Sequence, residues 1–284
     1  MERTTAIIGF GEAGRAFAAD HATNLHIVAY DPKPDADACR AANVIAADSA
    51  AEALAGARAV LSLVTADQAL VAACDSAPHL AKGTHWFDMN SVAPDTKRAA
   101  AQAITAAGGC YTDVAVMAPV HPARRDVPLL VSGPHAEAAI EWLRAIGFTR
   151  MRHVQGGIGA ASAIKMIRSV MVKGMEALTA ECVLAADAAG VLDEVLASLD
   201  ASDTAKPWAE RADYNLDRML IHGERRAAEM EEAEKTLAAL GIGSAMTAGT
   251  IRRQRELGSL GLSAPEGLNA KLAALRSRNK DIAA

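Results

Sequence analysis

Through its first half the chain alternates short apolar runs with alanine-rich stretches of helical period. Thr5–Ile8 and Leu25–Tyr30 read as strands, with a helix from Arg15 to His21 between them. Val44–Ile45 forms a short strand, the continuous apolar run Ala59–Val64 a buried one, and Trp86–Phe87 the next. Helices are predicted over 35–42, 49–56, 67–75 and 94–107. The last opens on Pro94, which suits a first helical position, and closes at Gly108–Gly109. Strands at 111–117, 127–131 and 151–154, with a helix over 136–146, complete the pattern. Such alternation predicts an α/β domain built on a mostly parallel, doubly wound sheet covered on both faces.

Near Gln155-Gly156-Gly157 the pattern changes, and strand signals nearly vanish. A single helical stretch runs from Ala160 to Ala189 and stops at Gly190. At 1.5 Å per residue it would extend about 45 Å. Further helices are predicted over 193–199, 204–220, 224–240, 244–258 and 266–276. The division expected is therefore 1–155 as a Rossmann-type domain and 156–284 as an all-helical domain, opening on a long inter-domain helix. A helix of that length also suits packing against a second subunit, so a homodimer is expected.

The first strand runs into Gly9-Phe10-Gly11-Glu12-Ala13-Gly14, a G-x-G-x-x-G pattern. In a dinucleotide site Gly9 makes the tight turn, Gly11 lets a pyrophosphate approach the backbone, and Gly14 lets the helix pack on the strand. Asp31 closes the second apolar run, where a carboxylate accepts both adenosine ribose hydroxyls and repels a 2′-phosphate. That favours NAD over NADP, a preference which the nearby cations Arg15 and Lys33 would soften. The other reading is a glycine turn of a different α/β fold, with Asp31 only starting the Asp31-Pro32 turn.

Composition narrows the field. Half of the 284 residues are apolar, and the net charge of -5 offers no electrostatic footprint for nucleic acid or an anionic membrane. No apolar stretch approaches the roughly 20 residues that span a bilayer. Glu2 and Arg3 lead directly into the first strand, so a cytoplasmic protein is expected. Cys39, Cys74, Cys110 and Cys182 are scattered, without C-x-x-C or metal-ligand spacing, and read as small core residues. No metal is expected.

Gly157-Ile158-Gly159 leads into the long helix and then Lys165-Met166-Ile167-Arg168-Ser169. Lys165 and Ser169, four apart, share a helix face. Lys165 lies in an otherwise apolar segment. It is either a desolvated lysine suited to proton transfer or a snorkelling one with its ammonium in water.

These motifs, in this order, resemble the β-hydroxyacid dehydrogenase family, which includes 3-hydroxyisobutyrate and 6-phosphogluconate dehydrogenases. Asp88-Met89-Asn90-Ser91-Val92-Ala93-Pro94 is similar to that family's D-M-S-T-x-x-P segment near the nicotinamide. Asp113-Val114-Ala115-Val116-Met117-Ala118-Pro119 stands in place of its substrate motif D-A-P-V-S-G-G. The resemblance implies that Lys165 assists proton transfer at a substrate hydroxyl while a hydride passes between the adjacent carbon and nicotinamide. It also implies cofactor contacts from Gly9, Gly11, Glu12, Ala13, Gly14, Asp31, Val64, Thr65 and Ser91. Asn90 and Ser169 join Lys165 as catalytic candidates, and Met117, Ala118, Pro119, Arg168 and His222 are substrate candidates.

The departures from the family matter as well. Met117-Ala118-Pro119 replaces Ser-Gly-Gly, Ser169 replaces an asparagine, and His222 falls where many members have a lysine. The equivalent of the phosphogluconate dehydrogenase acidic group is Val172, which argues against sugar-acid decarboxylation. His121, Arg124 and Arg125 form either an anion-binding rim or a solvated turn among prolines. The combination resembles a branch of phosphogluconate-dehydrogenase-like proteins with a distinct helical C-terminal domain. The leading expectation is an NAD(P)-dependent dehydrogenase acting on a small hydroxy acid. An imine reductase on the same scaffold and a non-catalytic dinucleotide-binding protein are the alternatives. Lys165 argues against the first alternative, and against the second when taken with the intact glycines.

Overall fold

The computed structural model describes residues 3–19, 25–202, 207–239, 241 and 244–283. The chain forms two compact units, Met1–Ile167 and Arg168–Ala284. This division falls a few residues inside the long helix, whereas the sequence pattern placed the domain boundary at 155/156, ahead of it.

The first unit is an eight-stranded sheet in the order β3-β2-β1-β4-β5-β6-β7-β8. Its strands are β1 (Arg3–Ile8), β2 (Leu25–Tyr30), β3 (Ile45–Ala46), β4 (Ala59–Ser62), β5 (His85–Asp88), β6 (Cys110–Val116), β7 (Leu129–Ser132) and β8 (Met151–His153). β1 to β6 pair in parallel, β7 runs antiparallel to β6, and β8 is parallel to β7. Alternation along each strand divides the apolar side chains between two cores. Ile7, Leu61, Phe87 and Val114 face α1 (Glu12–Ala18) and α6 (Ala136–Ala145). Ile8, Val60, Trp86 and Tyr111 face α3 (Ala50–Leu54), α4 (Ala69–Ser76) and α5 (Pro94–Ala106). α2 (Ala36–Ala41) packs Cys39 into the first of these cores. The chain crosses from one side of the sheet to the other between β1 and β4. That crossing opens a crevice at the carboxyl ends of the strands, where open α/β sheets bind ligands.

In the second unit only helices are found among the described residues. α7 (Ala160–Ala188) begins in the first unit and continues into this one. α8 (Leu192–Ser202), α9 (Trp208–Ala239), α10 (Ala245–Gly258) and α11 (Leu268–Ala283) follow. Their core gathers Ala180, Val183, Leu196, Leu216, Met219, Leu257, Leu272 and Leu275. Cys39, Cys74 and Cys110 are free thiols. The side chain of Cys182, and residues 20–24 where the first helix was expected to end, lie outside the described residues.

The break expected between helices at 220 and 224 does not exist, because α9 runs unbroken through Gly223. Gly223 serves a close helix crossing rather than a turn. A Cβ there would stand 2.3 Å from the Gln254 carbonyl oxygen and 2.7 Å from the Gly258 Cα. The backbones of α9 and α10 touch, and no methyl group fits between them. Gly249, also in α10, faces open space.

Replacing glycine by alanine inside a helix ordinarily stabilises by about 1 kcal/mol. Gly223→Ala is expected to reverse that sign and destabilise by about 1–3 kcal/mol, because the obstruction is backbone. Gly249→Ala should keep the ordinary sign. Denaturant melts of the two variants beside the parent read this directly.

Candidate active site

The loops at the carboxyl ends of β1, β2, β4 and β5 are tied to one another. Gly9 N–H donates to the Tyr30 carbonyl at 2.9 Å, and Leu63 N–H donates to the Ile8 carbonyl at 2.8 Å. Phe10 N–H donates to Asp31 Oδ2 at 2.8 Å, while Oδ1 of the same carboxylate accepts from Lys33 N–H at 2.9 Å. Asp31 therefore braces the glycine loop against the end of β2. Arg15 donates to the Phe10 carbonyl and pairs with Asp35 at 3.1 Å, so it belongs to the same rim.

The three motif glycines differ in what they answer to. A Cβ on Gly9 would sit 2.5 Å from the Leu63 carbonyl oxygen, and one on Gly14 would sit 2.5 Å from the Gly9 carbonyl oxygen. The fold demands both. A Cβ on Gly11 would meet nothing within 4 Å, and its φ of -76° is open to any residue. Nothing among the described residues requires glycine there, so the open space in front of it fits a ligand that must approach the backbone. Glu12 is exposed and Ala13 half-buried in the first turn of α1, with Thr65 exposed after β4.

Asn90 is buried, and its amide is committed to the protein. Oδ1 accepts from Val64 N–H at 2.8 Å, and Nδ2 donates to Ser62 Oγ at 3.0 Å. It locks the loop after β4 to the loop after β5. Ser91, the next residue, is half-buried, and its Oγ accepts from the Lys165 ammonium. The structure thus joins the catalytic candidate Lys165 to the cofactor candidate Ser91, while Asn90 bonds to Val64 and Ser62.

What holds Lys165 in that position is a network the sequence reading missed. Asp113 Oδ2 accepts from the N–H groups of Gly159 and Ser162 and from the hydroxyls of Ser132 and Ser162, each at 3.1 Å. The Ser132 hydroxyl in turn accepts from Ala161 N–H at 3.0 Å. The first-turn donors of α7, which a helix cannot satisfy itself, are thus capped by side chains of β6 and β7. The carboxylate also meets the positive end of the helix dipole. Behind it Lys97, fully buried, donates to the Asp88 carbonyl at 2.6 Å and to Asp88 Oδ1 at 2.8 Å, with Asp113 Oδ1 at 3.5 Å. Tyr111 donates to Asp88 Oδ2 at 2.7 Å. Burial, and then the Asp88 charge, push its phenol well above the usual range, so it stays a donor. The signal for Lys97 was present in the sequence. It shares the 97, 100, 101, 104 face of its helix with Ala100, Ala101 and Ile104, all buried.

The substrate candidates differ in exposure. Met117 is half-buried against Ala115, Leu130, Val154 and Ala161, whereas Ala118 and Pro119 are exposed. Arg125 donates to the carbonyls of Ala19 and Ile146, which pins the loop rather than leaving its guanidinium for an anion. In the second unit Arg168 is exposed and Ser169 buried, with Lys173 Nζ 3.4 Å from the Ser169 hydroxyl. Lys173 pairs with Glu229 at 2.7 Å, and Glu176 pairs with Arg226 and accepts from Gln254 at 3.1 Å. These pairs run α7 and α9 antiparallel. They set half-buried His222 one turn beyond Arg226, on the side away from Ser169. Among the described residues no group of three His, Cys, Asp or Glu side chains is placed to hold a metal. No helix among them is long and apolar enough to cross a membrane.

Residues 4–151 match the family described as the NAD binding domain of 6-phosphogluconate dehydrogenase. The chain belongs to that family. Residues 186–257 match a domain of unknown function, DUF1932. A conserved hypothetical protein of Sinorhizobium meliloti 1021 is 36% identical, with 98% of this chain and 97% of that one covered at a TM-score of 0.73. The 3-hydroxyisobutyrate dehydrogenase of Mycobacterium tuberculosis, in a structure with L-serine, shares the fold. It has a TM-score of 0.73 at 18% identity, over 97% of this chain and 100% of that one. An uncharacterized 28.5 kDa protein of Methanothermus fervidus is 28% identical over 150 residues. That match covers 53% of this chain and spans 57% of the relative's length. The first unit is therefore a nicotinamide-dinucleotide-binding domain.

Gly11→Ala is expected to melt like the parent but bind NADH at least about tenfold more weakly, a loss of about 1.4 kcal/mol. Gly14→Ala should lower the melting temperature, because its methyl group meets a backbone oxygen. Fluorescence titration and thermal melts on the same samples separate the two effects. Asp113→Ala orphans the first-turn donors of α7 and strands Lys97 beside a single carboxylate. Its expected cost is about 3–5 kcal/mol, read by denaturant unfolding.

Proposed function

We propose that the protein is an NAD(P)-dependent oxidoreductase that interconverts a small hydroxy acid, or a related alcohol, with its carbonyl form. Lys165 serves as the acid/base. The observation that carries this reading is the Lys165 ammonium on the Ser91 hydroxyl, beside the strand-end loop that Asn90 locks. The bound cofactor supplies the hydride acceptor or donor. In oxidation Lys165, as the neutral amine, takes the proton of the substrate hydroxyl and becomes the ammonium as the adjacent carbon loses hydride. In reduction it returns the proton to the oxygen and stabilises the negative charge developing there. Ser91 aims the ammonium, and Asn90 holds the loops that frame it.

The cofactor preference proposed is NAD. Asp31 stands at the end of β2 with both oxygens already accepting backbone N–H groups, which fixes the carboxylate where a 2′-phosphate would be repelled. Arg15 offers little counterweight, because Asp35 already pairs with it. Support for the substrate class comes from Lys165 within a sequence that resembles the hydroxyacid dehydrogenases. Roles for Met117, Ala118, Pro119, Arg168, Ser169 and His222 rest on that resemblance. A homodimer is part of the proposal, supported by the 29-residue length of α7.

The test follows NADH consumption and NAD reduction over a panel of small hydroxy acids, keto acids, aldehydes and cyclic imines. Lys165→Ala should bind NADH as the parent does and lose at least about a hundredfold in kcat. Turnover within tenfold of the parent rejects the acid/base role. Binding of NADPH more than tenfold tighter than NADH rejects the role given to Asp31.

A further inference from the structure

Lys97, one turn into α5, is fully buried. A buried ammonium is costly unless it is paired and hydrogen-bonded, so its partners indicate what it does. They come from two different strand ends. At the end of β5 it donates to the Asp88 carbonyl at 2.6 Å and to Asp88 Oδ1 at 2.8 Å. On β6 it stands 3.5 Å from Asp113 Oδ1. That oxygen is buried and no hydrogen bond reaches it among the described residues, so the Lys97 ammonium is the cation that balances it.

Each carboxylate goes on to one half of the contact between Ser91 and Lys165. Asp88 Oδ1 also accepts from Asn90 N–H at 3.0 Å, which fixes the backbone next to Ser91. Asp113 Oδ2 accepts from Ser162 N–H at 3.1 Å, and Ser162 lies one turn before Lys165 on α7. The contacts close a ring. Asp88, Asn90 and Ser91 form one side and Asp113, Ser162 and Lys165 the other, joined at Lys97 and again where Lys165 meets Ser91. The same turn of α5 also touches the entry to α7. Arg98 Nη1 donates to the Ile158 carbonyl at 3.4 Å, and a Cβ on Gly159 would stand 3.0 Å from the Pro94 Cβ. We infer that Lys97 is a positioning residue for the proposed proton transfer: it clamps the ends of β5 and β6, and that clamp sets the Lys165 ammonium on Ser91. Without Lys97 the two strand ends would present two neighbouring carboxylates and repel each other.

This inference rests on the acid/base role proposed for Lys165, and its test reads the contact itself. Lys97→Met/Asp88→Asn removes the clamp at constant charge, because one cation and one anion leave together while Asp113 still caps α7. Lys97→Gln, which keeps a donor on a shorter stem, is the second variant, and thermal melts establish that each is folded. The readout is the acylation rate of Lys165 by an N-hydroxysuccinimide ester, followed on the full chain by peptide mass spectrometry. Exposed Lys82, ahead of β5, is the internal standard, since a general loosening would speed both lysines. Ser91→Ala and each clamp variant should speed acylation of Lys165 about three- to tenfold, the worth of one hydrogen bond. Combining Ser91→Ala with a clamp variant should add nothing further, because both remove the same contact. In turnover the clamp variants should lose about tenfold or more in kcat with KM unchanged, because the proton-transfer group is misplaced. Multiplying rates in the combined variant overturn the inference, and so does a folded clamp variant acylated like the parent. If the acylation cycle holds but Lys165→Ala keeps its turnover, the acid/base reading falls and the clamp on Lys165 stands. If Lys165→Ala is inactive but the two losses are independent, the clamp falls alone.

Discussion

The Asp113 carboxylate is the constraint on which the site depends. It sits where β6 leaves the parallel part of the sheet, and it gathers the free donors at the start of α7. Those donors could not be buried without an acceptor, and a carboxylate there could not be buried without donors and a cation. Lys97 supplies the cation and shares it with Asp88, and Tyr111 completes the set. The helix therefore starts at one place and at one rotation. Lys165, between one and two turns further on, reaches Ser91 because of it. A lysine on a long helix has many rotamers, and anchoring the helix end removes one source of freedom before the side chain itself is fixed.

The glycine loop shows a second division of labour. Gly9 and Gly14 answer to backbone oxygens within the protein, so they belong to folding. Among the described residues nothing lies within 4 Å of a Cβ on Gly11, so no contact of the fold requires glycine there. Asp31 braces the loop through Phe10 and so sides with Gly9 and Gly14. Asn90 is similar in kind. Its amide is spent on Val64 and Ser62, which ties the loop after β4 to the loop after β5.

Much of this was legible in the chain because it depends on local period and on motif. The alternating apolar runs mark the strands, the change near residue 155 marks the end of alternation, and the G-x-G-x-x-G followed by Asp31 marks the cofactor edge. Lys165 was legible as a candidate through its place after Gly157-x-Gly159. The roles of Asp88 and Asp113 were not, although both fall in motifs, because a carboxylate's role depends on what surrounds it. Asp113 reads as part of a substrate motif and acts in the fold as a helix cap. Gly223 reads as a helix stop, since glycine is a poor helix former. What overrides that tendency is Gly258, 35 residues further on and in backbone contact with it.

The sequence by itself determined the elements, the cofactor class and the candidate lysine, because each is written in spacing along a single stretch. Only the tertiary structure decided which polar groups are spent on the fold and which are left for a ligand. It joined Lys97, Asp88, Tyr111, Asp113 and Ser132 into one buried cluster, and it set Lys165 on Ser91. Burial and hydrogen-bond satisfaction belong to groups brought together from distant parts of the chain, and no local pattern carries them.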